Sequence, residues 1–487
     1  MTRLVVGPFN RVEGDLEVTL DVADGAVRSA RVNSPLYRGF EQILQGKAPF
    51  DALVFAPRIC GICSVSQSAA AAQALAAAMD LRPADNGRIA ANLVLADENL
   101  ADHLTHFYLF FMADFARAEY APRPWFAAAA ARFKAVTGSA ARDVLPARAK
   151  FLKLMGMLAG KWPHSLALQP GGSTRPLQGS ERIRLHLLLR EFRGFLERTL
   201  FGDRLEAIAA LDSLTALHSW MAGRPAAASD FRLFLEIAHD LQLWRLGRTG
   251  AVFMSYGNYP LAVGRLLPAG TWDAADAGQA VRPFDQQQIA EDLSHAWLAD
   301  DGHAHHPLQG ATLPLADKPG AYSWCKAPRL AGRVVETGAL ARQVVAGTPL
   351  ARDLVAAHGG NVFARVVMRL VEIARILPEM ERWCHELAPG EPFCRHGQMP
   401  DEAVGCGLVE AARGSLGHWL AVKRGRIHNY QIVAPTTWNF SPRDAAGTPG
   451  ALEQALVGAP VADGEKTPLA VQHIVRSFDP CMVCTVH

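Results

Sequence analysis

From Leu16 to Val22 every second residue is apolar (Leu16, Val18, Leu20, Val22), the period of a strand with one buried face. Ala23-Asp24-Gly25 then turns the chain into Val27 to Val32, which predicts an antiparallel hairpin at the N-terminal end. Past Cys63 the pattern changes. The Ala-rich stretch from Ser68 to Met79 has high helix propensity and opens on small polar residues, so the first Cys pair is expected in a loop that feeds a helix N-terminus. Residues 88–118, 183–222, 228–247 and 348–388 carry helical spacing; in the last, Phe363, Val367, Leu370, Ala374, Leu377, Met380 and Cys384 form one stripe. Such a stripe predicts core packing and assigns Cys384 no chemistry. Segments 250–282 and 300–335, rich in Gly, Pro and aromatics, lack that period, and Gly417 to Val433 predicts a second hairpin turning at Lys423-Arg424-Gly425. No repeat or low-complexity linker divides the chain. The expectation is a single α+β domain over residues 1–487, with a large helical core clasped by antiparallel β segments at the N- and C-terminal ends.

Composition narrows the function. With 487 residues, 50% of them hydrophobic and 20% charged, the chain can bury a large core. Lys and Arg number 49 against 47 Asp and Glu, a net charge of +2 with no basic block, which argues against nucleic acid as a partner. No charged n-region runs into an apolar h-region, and no apolar stretch reaches roughly 18 residues. The expectation is therefore no direct membrane insertion and a cytoplasmic location. The eight Cys, at 60, 63, 325, 384, 394, 406, 481 and 484, are too sparse for a secreted disulfide framework and fit a reducing compartment.

The chemistry lies in two Cys-x-x-Cys pairs, Cys60/Cys63 in PRICGIC and Cys481/Cys484 in DPCMVCTVH, with Cys60 and Cys481 421 positions apart. Zinc ribbons space their pairs by ~15–20 residues. Four thiolates drawn from opposite ends of a chain can hold a soft metal only after the whole fold has formed. Structural zinc stays open on the pairs alone; a disulfide is the weaker reading.

Eight motifs in order carry a resemblance over nearly the whole length: RVEGD (11–15), YRGFEQIL (37–44), RICGIC (58–63), DHLTHFY (102–108), YSWCKAPR (322–329), ARGSLGHW (412–419), YQIVAPTTWN (430–439) and DPCMVCTVH (479–487). The chain resembles the large subunit of nickel-iron hydrogenases. Splitting H2 into a proton and a hydride needs a soft metal and a nearby base. The resemblance implies nickel held by Cys60, Cys63, Cys481 and Cys484, with Cys63 and Cys484 bridging to an iron that carries carbon monoxide and cyanide. It implies that Cys481 accepts the proton and that Glu13 is the first carboxylate of the exit path. Arg413 would face the bimetallic centre, held by Asp102 and Asp479, and Thr436 would donate its hydroxyl to cyanide. Ala412 stands where many relatives have Pro, so contacts on that side are expected to differ slightly. Glu41, His487 and a backbone carbonyl near Ile432 resemble the family's second metal site, usually magnesium. Family precursors are commonly cleaved just after the final His, which implies a mature chain or one that never had an extension.

Most relatives place His four residues after the second Cys of the first pair, where this chain has Gln67. Gln67, the short chain and the His487 end resemble the regulatory, H2-sensing subclass, in which bulky residues at the positions of Ile62 and Phe110 narrow the gas route. The implied protein binds and slowly oxidises H2 and reports to a histidine kinase. Cys325, Cys384, Cys394 and Cys406 have no iron-sulfur spacing, so the clusters are expected on a small-subunit partner in an obligate heterodimer. The alternatives are an uptake hydrogenase feeding a respiratory chain and a metal-free or zinc-bearing scaffold related to respiratory complex I; retention of all four Cys argues against the latter.

Overall fold

The computed structural model describes residues 2–250, 252–276 and 280–485. Its architecture is α+β, helices forming the centre and small sheets bordering them. The expected N-terminal hairpin, Glu17–Ala23 with Ala26–Asn33, gains a third antiparallel strand, Thr2–Val6. Val18 pairs with Val32 and Leu20 with Ala30, and all four face the core.

At the other end, Gly414–Lys423 and Arg426–Val433 form the second expected hairpin, but the sheet begins a strand earlier, at Ala403–Ala411. That strand alternates Gly405 and Gly407 because the Ala-rich helix Ser64–Ala78 lies directly on it: a Cβ at Gly405 would stand 2.0 Å from the Ala74 carbonyl oxygen, and one at Gly407 1.9 Å from that of Ala70. Glycine on the strand and alanine on the helix are one packing solution. It places the helix that follows Cys63 against the C-terminal sheet.

Beyond the two expected end sheets, the middle of the chain carries β structure as well. Val252–Pro260 pairs antiparallel with Arg265–Trp272 and parallel with Val335–Glu336 in the middle of the chain. Residues 252–259 are buried in succession, so no alternation marked the strand. The predicted long helices also break. Asp85–Thr105 continues as a π-helical turn over His106–Phe111 and a 3₁₀ turn over Met112–Ala116. The 348–388 segment divides into Pro349–His358 and Val362–Glu386 at Gly359, where φ is 72°. All seven stripe residues of the second helix are buried.

One buried ion network fixes these parts to one another. Arg342 meets Glu372 of the long helix at 2.6 Å and Glu410 of the C-terminal sheet at 3.0 Å, while His103 lies 3.1 Å from Glu372. Among the described residues no helix is long and apolar enough to cross a membrane.

Candidate metal centre

Backbone pairing brings the two ends together. The Glu13 N–H donates to the Pro480 carbonyl at 3.4 Å, and the Met482 N–H donates to the Glu13 carbonyl at 2.7 Å. Gly14 (φ 79°) permits this approach, since a Cβ there would sit 3.0 Å from Val483 Cγ1. Arg38 straps the junction, its guanidinium donating to the carbonyls of Ile59 and Val483, each just ahead of a Cys. Asp479, at φ 58°, turns the chain into Cys481 from the left-handed region.

The result is a buried cluster of four free cysteines whose sulfurs all lie within 4.8 Å of one another. Cys60 Sγ is 3.4 Å from Cys481, Cys63 is 3.2 Å from Cys484, and Cys481 is 2.9 Å from Cys484. Contact with Cys481 and Cys484 holds the Cys60 thiol well below its usual range, whereas contact with Cys481 pushes Cys63 well up and burial does the same to Cys481. Such a cluster cannot ionise fully without a cation. A soft divalent metal that displaces the thiol protons fits the donor set.

Arg413 is fully buried and holds a carboxylate on each side: Nη1 meets Asp102 at 2.7 Å and Nη2 meets Asp479 at 3.2 Å, while Nε donates to the Asp479 carbonyl at 2.9 Å. Burial pushes Asp102 up to about 7 despite Arg413; burial also works against the Asp479 carboxylate, but the surrounding groups, Arg413 foremost, together hold its pKa low. Glu13 is half-buried, and its pKa is raised by burial and then by the charge of Cys60. Thr436 Oγ1 accepts the Cys481 N–H at 3.2 Å, which leaves the hydroxyl hydrogen to be directed elsewhere. Ala412 is buried and uses its carbonyl to accept from Arg342 at 3.1 Å.

Gln67 lies one turn beyond Cys63, with its N–H on the Cys63 carbonyl at 3.1 Å. Its side-chain oxygen is 2.8 Å from His418 Nε2, and His418 Nδ1 is 2.8 Å from the Tyr430 hydroxyl. Ile62 and Phe110 are half-buried, Phe110 within the π-helical turn.

Glu41 is brought to Ile432, whose N–H donates to its carboxylate at 2.8 Å. The reason is charge: the buried carboxylate gathers donors, adding the Thr312 hydroxyl and Lys326 Nζ at 3.1 Å. Lys326 also reaches Gln431 Oε1 at 2.7 Å and Glu291 at 3.5 Å. His487 lies outside the described residues. The oxygen donors of Glu41, Glu291, Gln431 and Thr312 suit a hard cation in kind.

Sequence reasoning quoted the segment of Arg38 without giving that residue a role, and it missed Lys326 and Glu98. The signal for Glu98 was available: Asp97, Glu98 and Asp102 are three acids within a helix otherwise patterned for burial.

Buried sulfurs beside a clamped guanidinium, joined from the two ends of the chain, mark a protein built to hold a soft metal. The pattern of nickel-dependent hydrogenases matches residues 38–137 and 141–487. The chain is 30% identical over 521 aligned residues to the periplasmic NiFeSe hydrogenase large subunit of Desulfomicrobium baculatum, covering 100% of this chain and 95% of that protein. It is 26% identical to the uptake hydrogenase large subunit of Rubrivivax gelatinosus with the same coverage. Its fold matches the reduced Ni-Fe-Se hydrogenase from D. vulgaris Hildenborough with a TM-score of 0.84 at 28% identity, over 100% of both chains. The chain belongs to the nickel-dependent hydrogenase family, and the cluster fits a Ni–Fe site.

Proposed function

We propose that this chain is the large subunit of an H2-sensing hydrogenase of low turnover, cytoplasmic, paired with an iron-sulfur small subunit and reporting to a histidine kinase. Gln67 carries the reading. An amide at this position cannot take up a proton as an imidazole does, and its oxygen is already engaged by His418. The half-buried Ile62 and Phe110 support a narrowed gas route in the same sense.

In the chemistry proposed, Cys60, Cys63, Cys481 and Cys484 hold the Ni–Fe centre, which supplies the soft electron-pair acceptor that makes H2 acidic enough to split. Cys481 Sγ receives the proton and Glu13, whose backbone brackets Cys481, relays it outward; a carboxyl with a raised pKa is matched to that task. Arg413, fixed by Asp102 and Asp479, holds a positive charge beside the reacting position. Thr436 keeps a hydroxyl hydrogen for a cyanide ligand, and a magnesium ion beside Glu41, with His487, would tie the ends together.

A second reading, an uptake enzyme feeding a respiratory chain, is favoured by the full-length similarity to the Rubrivivax gelatinosus uptake large subunit. Purified complex decides between them. Slow H2 oxidation with capture of a histidine kinase supports the sensor; rapid oxidation without kinase binding supports uptake, and cell fractionation checks the location.

A further inference from the structure

Cys63 occupies the N-cap position of the helix Ser64–Ala78, yet its side chain makes no cap hydrogen bond. A helix start leaves N–H groups without intrahelical partners, and the N-cap side chain ordinarily takes one or two of them. The Cys63 sulfur is turned instead toward Cys484, at 3.2 Å. The vacant duty falls to Glu98, from the neighbouring helix Asp85–Thr105. Its carboxylate accepts the Val65 N–H at 2.7 Å, the Ser66 N–H at 2.8 Å, the Ser66 hydroxyl at 2.9 Å, the Trp162 indole N–H at 3.1 Å and the Ser64 hydroxyl at 3.4 Å.

All five contacts are donors, so the ionised form is the one this geometry accommodates. Burial pushes the carboxyl up to about 7, and the N–H groups of Val65 and Ser66 lead the opposing pull. Glu98 precedes Asp102 by four residues and so shares its helix face. One turn of that helix clamps Arg413 while the previous turn caps the Cys63 helix.

We propose that Glu98 is a positioning residue for Cys63: it takes over the capping of the helix, frees the sulfur for the metal, and with its negative charge offsets the positive end of the helix so that the sulfur stays electron-rich. The inference rests on the reading of Cys63 as a ligand shared with iron. A charge at a helix start acts over about one turn, and Glu98 binds the N–H groups of the two residues, Val65 and Ser66, in the turn that Cys63 begins.

The test is infrared spectroscopy of the purified complex with its small subunit, reading the carbon monoxide and cyanide bands on iron. Glu98→Gln keeps the shape and removes the charge; all the bands are expected to move together to higher frequency, because a poorer sulfur donor leaves less electron density on iron. Trp162→Phe removes one donor; in buffer alkaline enough to keep Glu98 ionised, its charge is then less neutralised, so the bands are expected to move to lower frequency by a smaller amount. Unshifted bands in Glu98→Gln at normal iron content, or a Trp162→Phe shift that is absent or of the same sign, would overturn the proposal. If Glu98→Gln fails to load metal, the Trp162→Phe spectrum alone decides. Absence of these bands from the wild-type complex would instead remove the Ni–Fe reading, and this inference with it.

Discussion

The sulfur cluster and the Glu41 pocket are both made by bringing N-terminal segments against C-terminal ones, and both are buried, but they treat negative charge differently. Around Glu41 the chain supplies its own cation, Lys326 at 3.1 Å, and the Ile432 N–H and the Thr312 hydroxyl also donate to the carboxylate. Around the sulfurs Arg413 is already paired with Asp102 and Asp479, and Arg38 is engaged by the Ile59 and Val483 carbonyls. The cluster is left with more potential negative charge than the protein neutralises. Of the two regions, it is the one whose chemistry depends on a metal.

Removing one sulfur gives the largest effect. Cys484→Ser is expected to abolish both nickel retention and H2 oxidation, read by metal analysis and gas-electrode assay. Nickel retained at wild-type stoichiometry would mean that the four sulfurs do not act as a set.

Glu13→Gln tests the exit from the same cluster. H2 oxidation is expected to fall about 10²–10⁴-fold, the usual contribution of a placed proton-transfer group, with nickel content unchanged. Wild-type turnover in this variant would move the proton route elsewhere.

Lys326→Met tests the other region. Breaking a buried ion pair from one side costs ~3–5 kcal/mol, so the midpoint of chemical denaturation should drop accordingly. Added magnesium is expected to restore part of the loss if a hard cation can stand beside Glu41; an undiminished midpoint would show that Lys326 does not balance the pocket.

The two regions also differ in how far the sequence revealed them. The sulfur cluster was legible because Cys-x-x-Cys pairs and ordered motifs are local signals, and Arg413, Asp102 and Asp479 lie within those motifs. The ion partner of Glu41 was not: Lys326 also lies in a quoted motif, YSWCKAPR, but no role came with it, and a single Lys 285 residues from its partner has no spacing to read. In the fold, the hairpins and the stripe from Phe363 to Cys384 followed from periodicity. Strand Val252–Pro260 did not, since burial on both faces erases alternation. For Glu98 the neighbouring buried acids Asp97 and Asp102 were a visible signal, but its task is set by another helix, and nothing in its own segment names that partner.

The smallest expected effect sharpens the contrast at the edge of the Lys326 segment. Glu453 accepts the Val32 N–H at 3.0 Å and the Tyr322 hydroxyl at 2.8 Å, and Arg443 stands off at 3.8 Å, so this acid lacks the close cation that Glu41 has. Burial accordingly pushes its pKa up to about 7 from 4.5. An acid raised on folding binds its proton more tightly in the native state; its stabilising contribution is complete below the unfolded pKa and is lost as pH rises through about 7. Glu453→Gln, a mimic of the protonated form, should therefore match the wild type near the unfolded pKa and exceed it in mildly alkaline buffer, by up to ~3 kcal/mol at 1.36 kcal/mol per unit. Paired denaturation curves in the two buffers measure the difference. A gap that stays constant with pH would mean that Arg443 neutralises Glu453 as fully as Lys326 neutralises Glu41, and the distinction between paired and unpaired buried acids would fail at this position.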